Sequence, residues 1–107
     1  MGNEPLKGHL DLLVLASLEG GPKHGYAVIE QLRDRSGGFF DLPEGTVYPV
    51  LHRLEKARLL ASRWSNTTGR RRRVYRLTRM GVKALACQAG EWNEFSQAVV
   101  AILGAQA

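Results

Sequence analysis

The chain has 107 residues, 44% hydrophobic and 23% charged, with one cysteine, Cys87. It reads as one small soluble domain, which excludes a disordered or low-complexity chain, an intrachain disulfide and a four-cysteine zinc site. Its net charge of +5 is unevenly spread: nine basic and no acidic residues lie between Arg58 and Lys83, whereas the remainder holds six basic and ten acidic ones.

Leu6, Leu10, Leu13, Ser17 and Leu18 follow helical spacing, and Leu12 and Leu15 add a second apolar side. A helix from Leu6 to Leu18 with two apolar faces needs its own core on one and a partner subunit on the other. Glu19-Gly20-Gly21-Pro22 stops it. His24 to Arg35 reads as the second helix, with Val28, Ile29 and Leu32 inward and Ser36-Gly37-Gly38 at its end. In the third, Val47, Leu51 and Leu54 share one face. Propensity starts that helix at Thr46, so that Pro49 falls in the first turn, with Pro43 and Asp41 near the cap.

Alternation follows. Leu60 to Trp64 reads as a strand, Ser65 to Gly69 as a turn and Arg72 to Leu77 as the returning strand. Thr78 suits the N-cap of a last helix over Arg79–Leu103. There Leu85, Ala89, Trp92, Ser96, Val99 and Leu103 step at heptad spacing, widened by Val82, Phe95 and Ile102. A helix of about 37 Å outruns what so short a chain can cover, so a homodimer is expected. The fold class is mainly α with a two-stranded β wing: a winged helix-turn-helix over residues 1–78 and a dimerisation helix over 79–107.

An isolated positive field costs stability until an anion arrives, and nucleic acid is the first candidate. With Val47, Leu51 and Leu54 inward, the third helix turns Thr46, Pro49 and His52 toward a DNA groove. Arg53 flanks them and reaches either a guanine edge or a phosphate, while Lys56 meets backbone. Tyr48 offers its hydroxyl to a phosphate or packs half-buried. His24 and Gly25 open a helix whose amides suit an anion. Two or three of Arg70, Arg71, Arg72 and Arg73 can follow a phosphate row or enter the minor groove, because alternation points neighbours to opposite faces.

These residues resemble the PadR family of bacterial transcriptional regulators. The resemblance rests on His24-Gly25-Tyr26, on Gly45 to Glu55, on Gly69-Arg70-Arg71-Arg72 and on Tyr75-Arg76-Leu77-Thr78, and covers Leu6 to Leu103. It implies a homodimer that binds a pseudo-palindromic operator in double-stranded DNA and represses detoxification, efflux or its own genes. It adds Tyr26 to the DNA-contacting set and starts the third helix before Pro49. Within the family a glycine usually follows that helix; here Arg58 stands there, and a left-handed backbone would cost it about 1 kcal/mol.

The effector that releases DNA is less legible. Trp92 either stacks a planar drug-like molecule, as the resemblance implies, or anchors the interface. No cofactor is required. A divalent metal ion is a second effector class, held by Cys87 and Glu91 on one helical face with His9 from a partner. No nucleophile elbow, HExxH, phosphate loop or close acid pair suggests an enzyme. A winged-helix protein adaptor without specific DNA binding is the alternative. With no apolar run of ~18 residues and no signal-peptide pattern, no membrane is involved and a cytoplasmic protein is expected.

Overall fold

The computed structural model describes residues 9–66 and 69–104. Their elements run α1 (Leu10–Ser17), β1 (Lys23–His24), α2 (Gly25–Arg35), α3 (Glu44–Lys56), β2 (Leu60–Ser65), β3 (Arg72–Leu77) and α4 (Arg79–Leu103). The fold is mainly α with a wing, as the patterning predicts. Leu6 lies outside the described residues.

Helix α1 is central and touches α2, α3 and α4. That position consumes both of its apolar sides. Leu10, Val14, Leu15 and Leu18 meet Val28, Ile29 and Leu32 from α2 and Val47, Val50, Leu51 and Leu54 from α3. Two residues expected at a subunit interface therefore belong to the protomer's own core: Leu15 is fully buried and Leu85 nearly so. Leu12 remains half-buried at the edge.

The wing carries one strand more than predicted. The antiparallel order is β1-β3-β2, with Lys23 opposite Tyr75 and His24 opposite Val74. His24 is extended (φ −76°, ψ 163°), so α2 starts at Gly25 and His24 is its N-cap. Its ring replaces the usual Ser or Asp, accepting the Ala27 amide at Nδ1.

Helix α3 starts at Glu44 and carries Pro49 inside, as the resemblance implies and propensity does not. Pro49 leaves the Gly45 carbonyl without its helical donor, but both residues are exposed and water can serve it. Pro43 is the N-cap and makes no side-chain cap bond; Asp41 does not cap the helix.

The exit of α3 is a Schellman turn. The Leu59 amide donates to the Leu54 carbonyl at 3.0 Å, and the Arg58 amide donates to that of Glu55 at 2.9 Å. Arg58 adopts φ 69°, the left-handed conformation that glycine tolerates best. Arg58→Gly should stabilise the fold by about 0.5–1 kcal/mol, the left-handed penalty less the unfolded chain's added entropy. Chemical denaturation of the two chains checks this.

Thr78 caps α4. Its hydroxyl accepts the Gly81 amide at 3.0 Å and donates to the Arg58 carbonyl at 2.7 Å. The start of α4 is thereby tied to the exit of α3. Beyond Leu85 the helix stands off the core, leaving Trp92, Phe95, Val99, Ile102 and Leu103 exposed.

Candidate nucleic-acid interface

A cleft of about 640 Å³ opens between the wing and the ends of α2 and α3. His24, Gly25, Tyr26, Glu44, Tyr48, His52, Trp64 and Arg70 to Arg73 line it. The structure thus gathers nine of the predicted DNA-contacting residues in one concavity. Thr46, Pro49 and Lys56 lie outside it on α3; Pro49 and Lys56 are exposed and Thr46 is half-buried.

Gly25 is required by Tyr48. A Cβ on Gly25 would lie 2.5 Å from Cε1 of Tyr48 and 2.6 Å from its hydroxyl oxygen. Tyr48 can rest on α2 only because no side chain intervenes. Burial, and then nearby Glu44, push its phenol above the ordinary value against the opposing pull of Arg72. A tyrosine hydroxyl is protonated at neutral pH and so is a donor, which is what a phosphate oxygen needs.

The four arginines divide into two pairs. Arg72 donates toward Nε2 of His24 at 2.7 Å, and Arg73 donates through Nε to the Ser62 hydroxyl at 2.8 Å. Ser62 in turn donates to Glu55 of α3 at 2.5 Å, and Arg73 lies 3.7 Å from the same carboxylate. These two pin the wing to α2 and α3. Arg70 and Arg71 are exposed and make no ion pair among the described residues.

His24 faces two donors, the Ala27 amide and the Arg72 guanidinium. A neutral imidazole has one acceptor nitrogen, so it satisfies one of them at a time. The Arg72 tie and the Ala27 cap therefore compete for one lone pair of His24. Burial, followed by the Arg72 charge, lowers the His24 pKa below 6.5, and Glu30 opposes the shift. The folded state then binds this proton less readily than the unfolded chain. Stability should therefore fall as pH drops through 6.5 toward the lowered folded value, and level off below it. His24→Asn, which keeps an N-cap, should flatten that part of the profile in denaturation series between about pH 5 and 8.

Arg53, offered by the sequence to a guanine edge or a phosphate, is exposed and paired with α1 in the unbound protomer. Its Nη2 donates to Oδ1 of Asp11 at 2.6 Å and its Nη1 to Oδ2 at 3.1 Å, a bidentate fork between α3 and α1. The hydrogen bond to Asp11 is the main cause raising its pKa. The carboxylates of Asp11, Glu44 and Glu55 were not anticipated at these positions. Nor was Trp64, although its signal was present: an aromatic facing Arg73 across the hairpin.

A second cleft, about 460 Å³, lies between α1 and α4 and is lined by His9, Asp11, Leu12, Gln88, Glu91, Trp92 and Phe95. His9 meets Trp92 edge-on, ring centroids 5.0 Å apart. Cys87 donates to Glu91 at 3.7 Å. Within one protomer, no three His, Cys, Asp or Glu side chains among the described residues are grouped to hold a metal ion. Helix α1 packs on α4 of its own protomer, where His9 meets the indole. No helix among the described residues is long and apolar enough to cross a membrane.

Comparison with known proteins agrees with this geometry. The profile of the Transcriptional regulator PadR-like family matches residues 14–87. Transcriptional regulator Rv3488 of Mycobacterium tuberculosis is 39% identical over 77 residues, which are 72% of this chain and 69% of that protein. A PadR family transcription regulator from Clostridium difficile R20291 superposes with a TM-score of 0.80 at 34% identity, covering 89% of this chain and 98% of that one. One from Eggerthella lenta gives 0.82 at 33% identity, over 99% and 91%. The chain belongs to the PadR-like family of transcriptional regulators, and that family consists of regulators rather than enzymes.

Proposed function

We propose that the protein is a homodimeric repressor that seats two wing-and-helix clefts on a pseudo-palindromic operator and leaves it when a planar ligand binds beside Trp92. The observation that carries this reading is the first cleft, where four consecutive arginines line one concavity with Tyr48 and His52 of α3. Arg70 and Arg71 take phosphates, Arg72 joins them from His24, and Thr46, Pro49 and His52 meet base edges. Gly25, Tyr26 and Tyr48 shape the phosphate seat, and Lys56 touches the backbone farther along. The target genes are those for detoxification, efflux or the protein itself.

Dimerisation uses Leu12, Ala89, Trp92, Ser96, Val99 and Leu103. Support comes from the exposed apolar stripe on α4, which is unusually large for a monomer's surface. The ligand cleft pairs the rings of Trp92 and Phe95 with the carboxylates of Asp11 and Glu91, a lining suited to a flat organic cation. Asp11 also holds Arg53 of α3, so an occupant that draws on Asp11 loosens the recognition helix.

The test is a titration against the DNA upstream of the protein's own gene, with random duplex as competitor, at two salt concentrations. It is repeated with a planar aromatic cation and with the Asp11→Asn chain. Preference for the upstream DNA, a steep salt slope and release by the cation in the parent chain alone support the reading. Equal affinity for random duplex at both salts removes the operator and favours a protein-binding adaptor.

A further inference from the structure

Trp64 is a large aromatic residue left half exposed on the wing, at 51%. It lies on β2 directly across from Arg73 of β3. The Arg73 guanidinium sits 5.1 Å from the ring centroid and that of Arg71 sits 4.5 Å from it. Two guanidinium groups share one indole.

The two are not equivalent. Arg73 has Glu55 and the Ser62 hydroxyl as further partners; Arg71 has no hydrogen bond or ion pair among the described residues. A chain of contacts therefore runs from Glu55 on α3 through Arg73 and Trp64 to Arg71. Its near end is on the recognition helix and its far end is an exposed cation beside the hairpin tip.

We infer that Trp64 is a positioning residue for DNA binding, holding Arg71 at a set distance from α3 so that it meets a phosphate while α3 lies in the groove. This rests on the reading of the wing as a DNA contact. A free arginine side chain samples many rotamers and loses them when it binds. An indole that already orders the guanidinium removes that loss, and without the indole the exposed side chain gives up the phosphate contact. It leaves the charge exposed, because cation–π attraction does not neutralise it. Glu55 holds Arg73 on the opposite side, which keeps the stack from splaying under like-charge repulsion.

The experiment measures affinity of the full chain for a random 40-base-pair duplex across a salt series. Four chains are compared: parent, Trp64→Ala, Trp64→Phe and Trp64→Ala/Arg71→Ala. Trp64→Ala should lose about fivefold in affinity, the strength of one exposed cation–π contact. Its log–log salt slope should shrink by about one, as for a lost phosphate contact. Phe should restore most of both. Adding Arg71→Ala should cost little more, since the two act as a unit. An unchanged slope in folded Trp64→Ala, or full additivity with Arg71→Ala, overturns the inference.

Should Trp64→Ala fail to fold, Trp64→Leu, which keeps apolar bulk without a π face, decides: the same loss of slope supports the inference and an unchanged slope overturns it. The Arg70→Glu/Arg71→Glu chain separates the two readings. If it binds duplex as the parent does, the wing reading itself fails. If it loses binding while Trp64→Ala does not, only the role of Trp64 fails.

Discussion

Gly81→Ala is expected to cost at least ~3 kcal/mol of stability, the upper range for forcing volume into a packed site. The added Cβ would lie 2.0 Å from the Leu59 carbonyl oxygen and 3.0 Å from its carbon. That obstacle is backbone, not the end of a side chain, so no rotamer change relieves it. The carbonyl cannot retreat freely, because it accepts the Thr78 amide at 3.1 Å. Moving α4 instead would break the Thr78 cap and strain the pairing of Leu60 with Leu77 beside it. A loss of ~3 kcal/mol is a large part of the 5–15 kcal/mol typical of a small domain. Gly90→Ala is the control. Nothing lies within 4 Å of its added Cβ, and α4 there is ordinary exposed helix. That chain should gain about 0.5–1 kcal/mol. Urea denaturation of both tells a helix-propensity effect from a clash, since the two changes are chemically identical and should have opposite signs.

Arg70→Glu/Arg71→Glu should reduce duplex affinity by about 100-fold at 0.1 M salt and flatten the log–log salt slope by about two per protomer. Melting should hardly move, because both residues are exposed and neither joins an ion pair among the described residues. Arg73→Ala offers the contrast. It removes the ties to Ser62 and Glu55, so it should show up in wing stability as well as in DNA binding. Filter binding across a salt series, run beside thermal melts, separates charge supply from wing anchoring. A similar slope change per residue in both variants would mean that Arg73 contacts DNA as Arg70 and Arg71 do.

Much of this architecture was legible because local signals and tertiary structure agree. Thr78 and the heptad spacing bound α4 at Arg79 and Leu103, and alternation placed β2 and β3. The basic tip shares a cleft with Glu44, Tyr48 and His52 of α3, while Thr46, Pro49 and Lys56 lie outside it. What escaped was set by distant contacts. The strand at Lys23–His24 is only two residues long and exists because β3 offers it an edge. Which apolar side of α1 faced a partner depended on the position of α4, and Leu15 went to the core. Arg53 looked free on its helix because Asp11 is 42 residues away in the chain. Pro49 defeated propensity because exposure lets water replace the lost helical donor.

Helix α4 has a further consequence for how the molecule meets its target. Arg79 and Lys83 lie near its positive N-terminal end, Glu91 and Glu94 lie farther along, and no basic residue occupies its last turn. Side-chain charge thus runs parallel to the peptide dipoles and adds to them instead of cancelling them. The wing arginines add positive charge just ahead of α4 in the chain, so each protomer carries a permanent dipole along this helix. The field of a duplex exerts a torque on such a body before any contact forms, turning it wing first within a Debye length of about 8 Å at physiological salt. Orientation is then settled during approach, and added salt should slow association far more than it hastens departure.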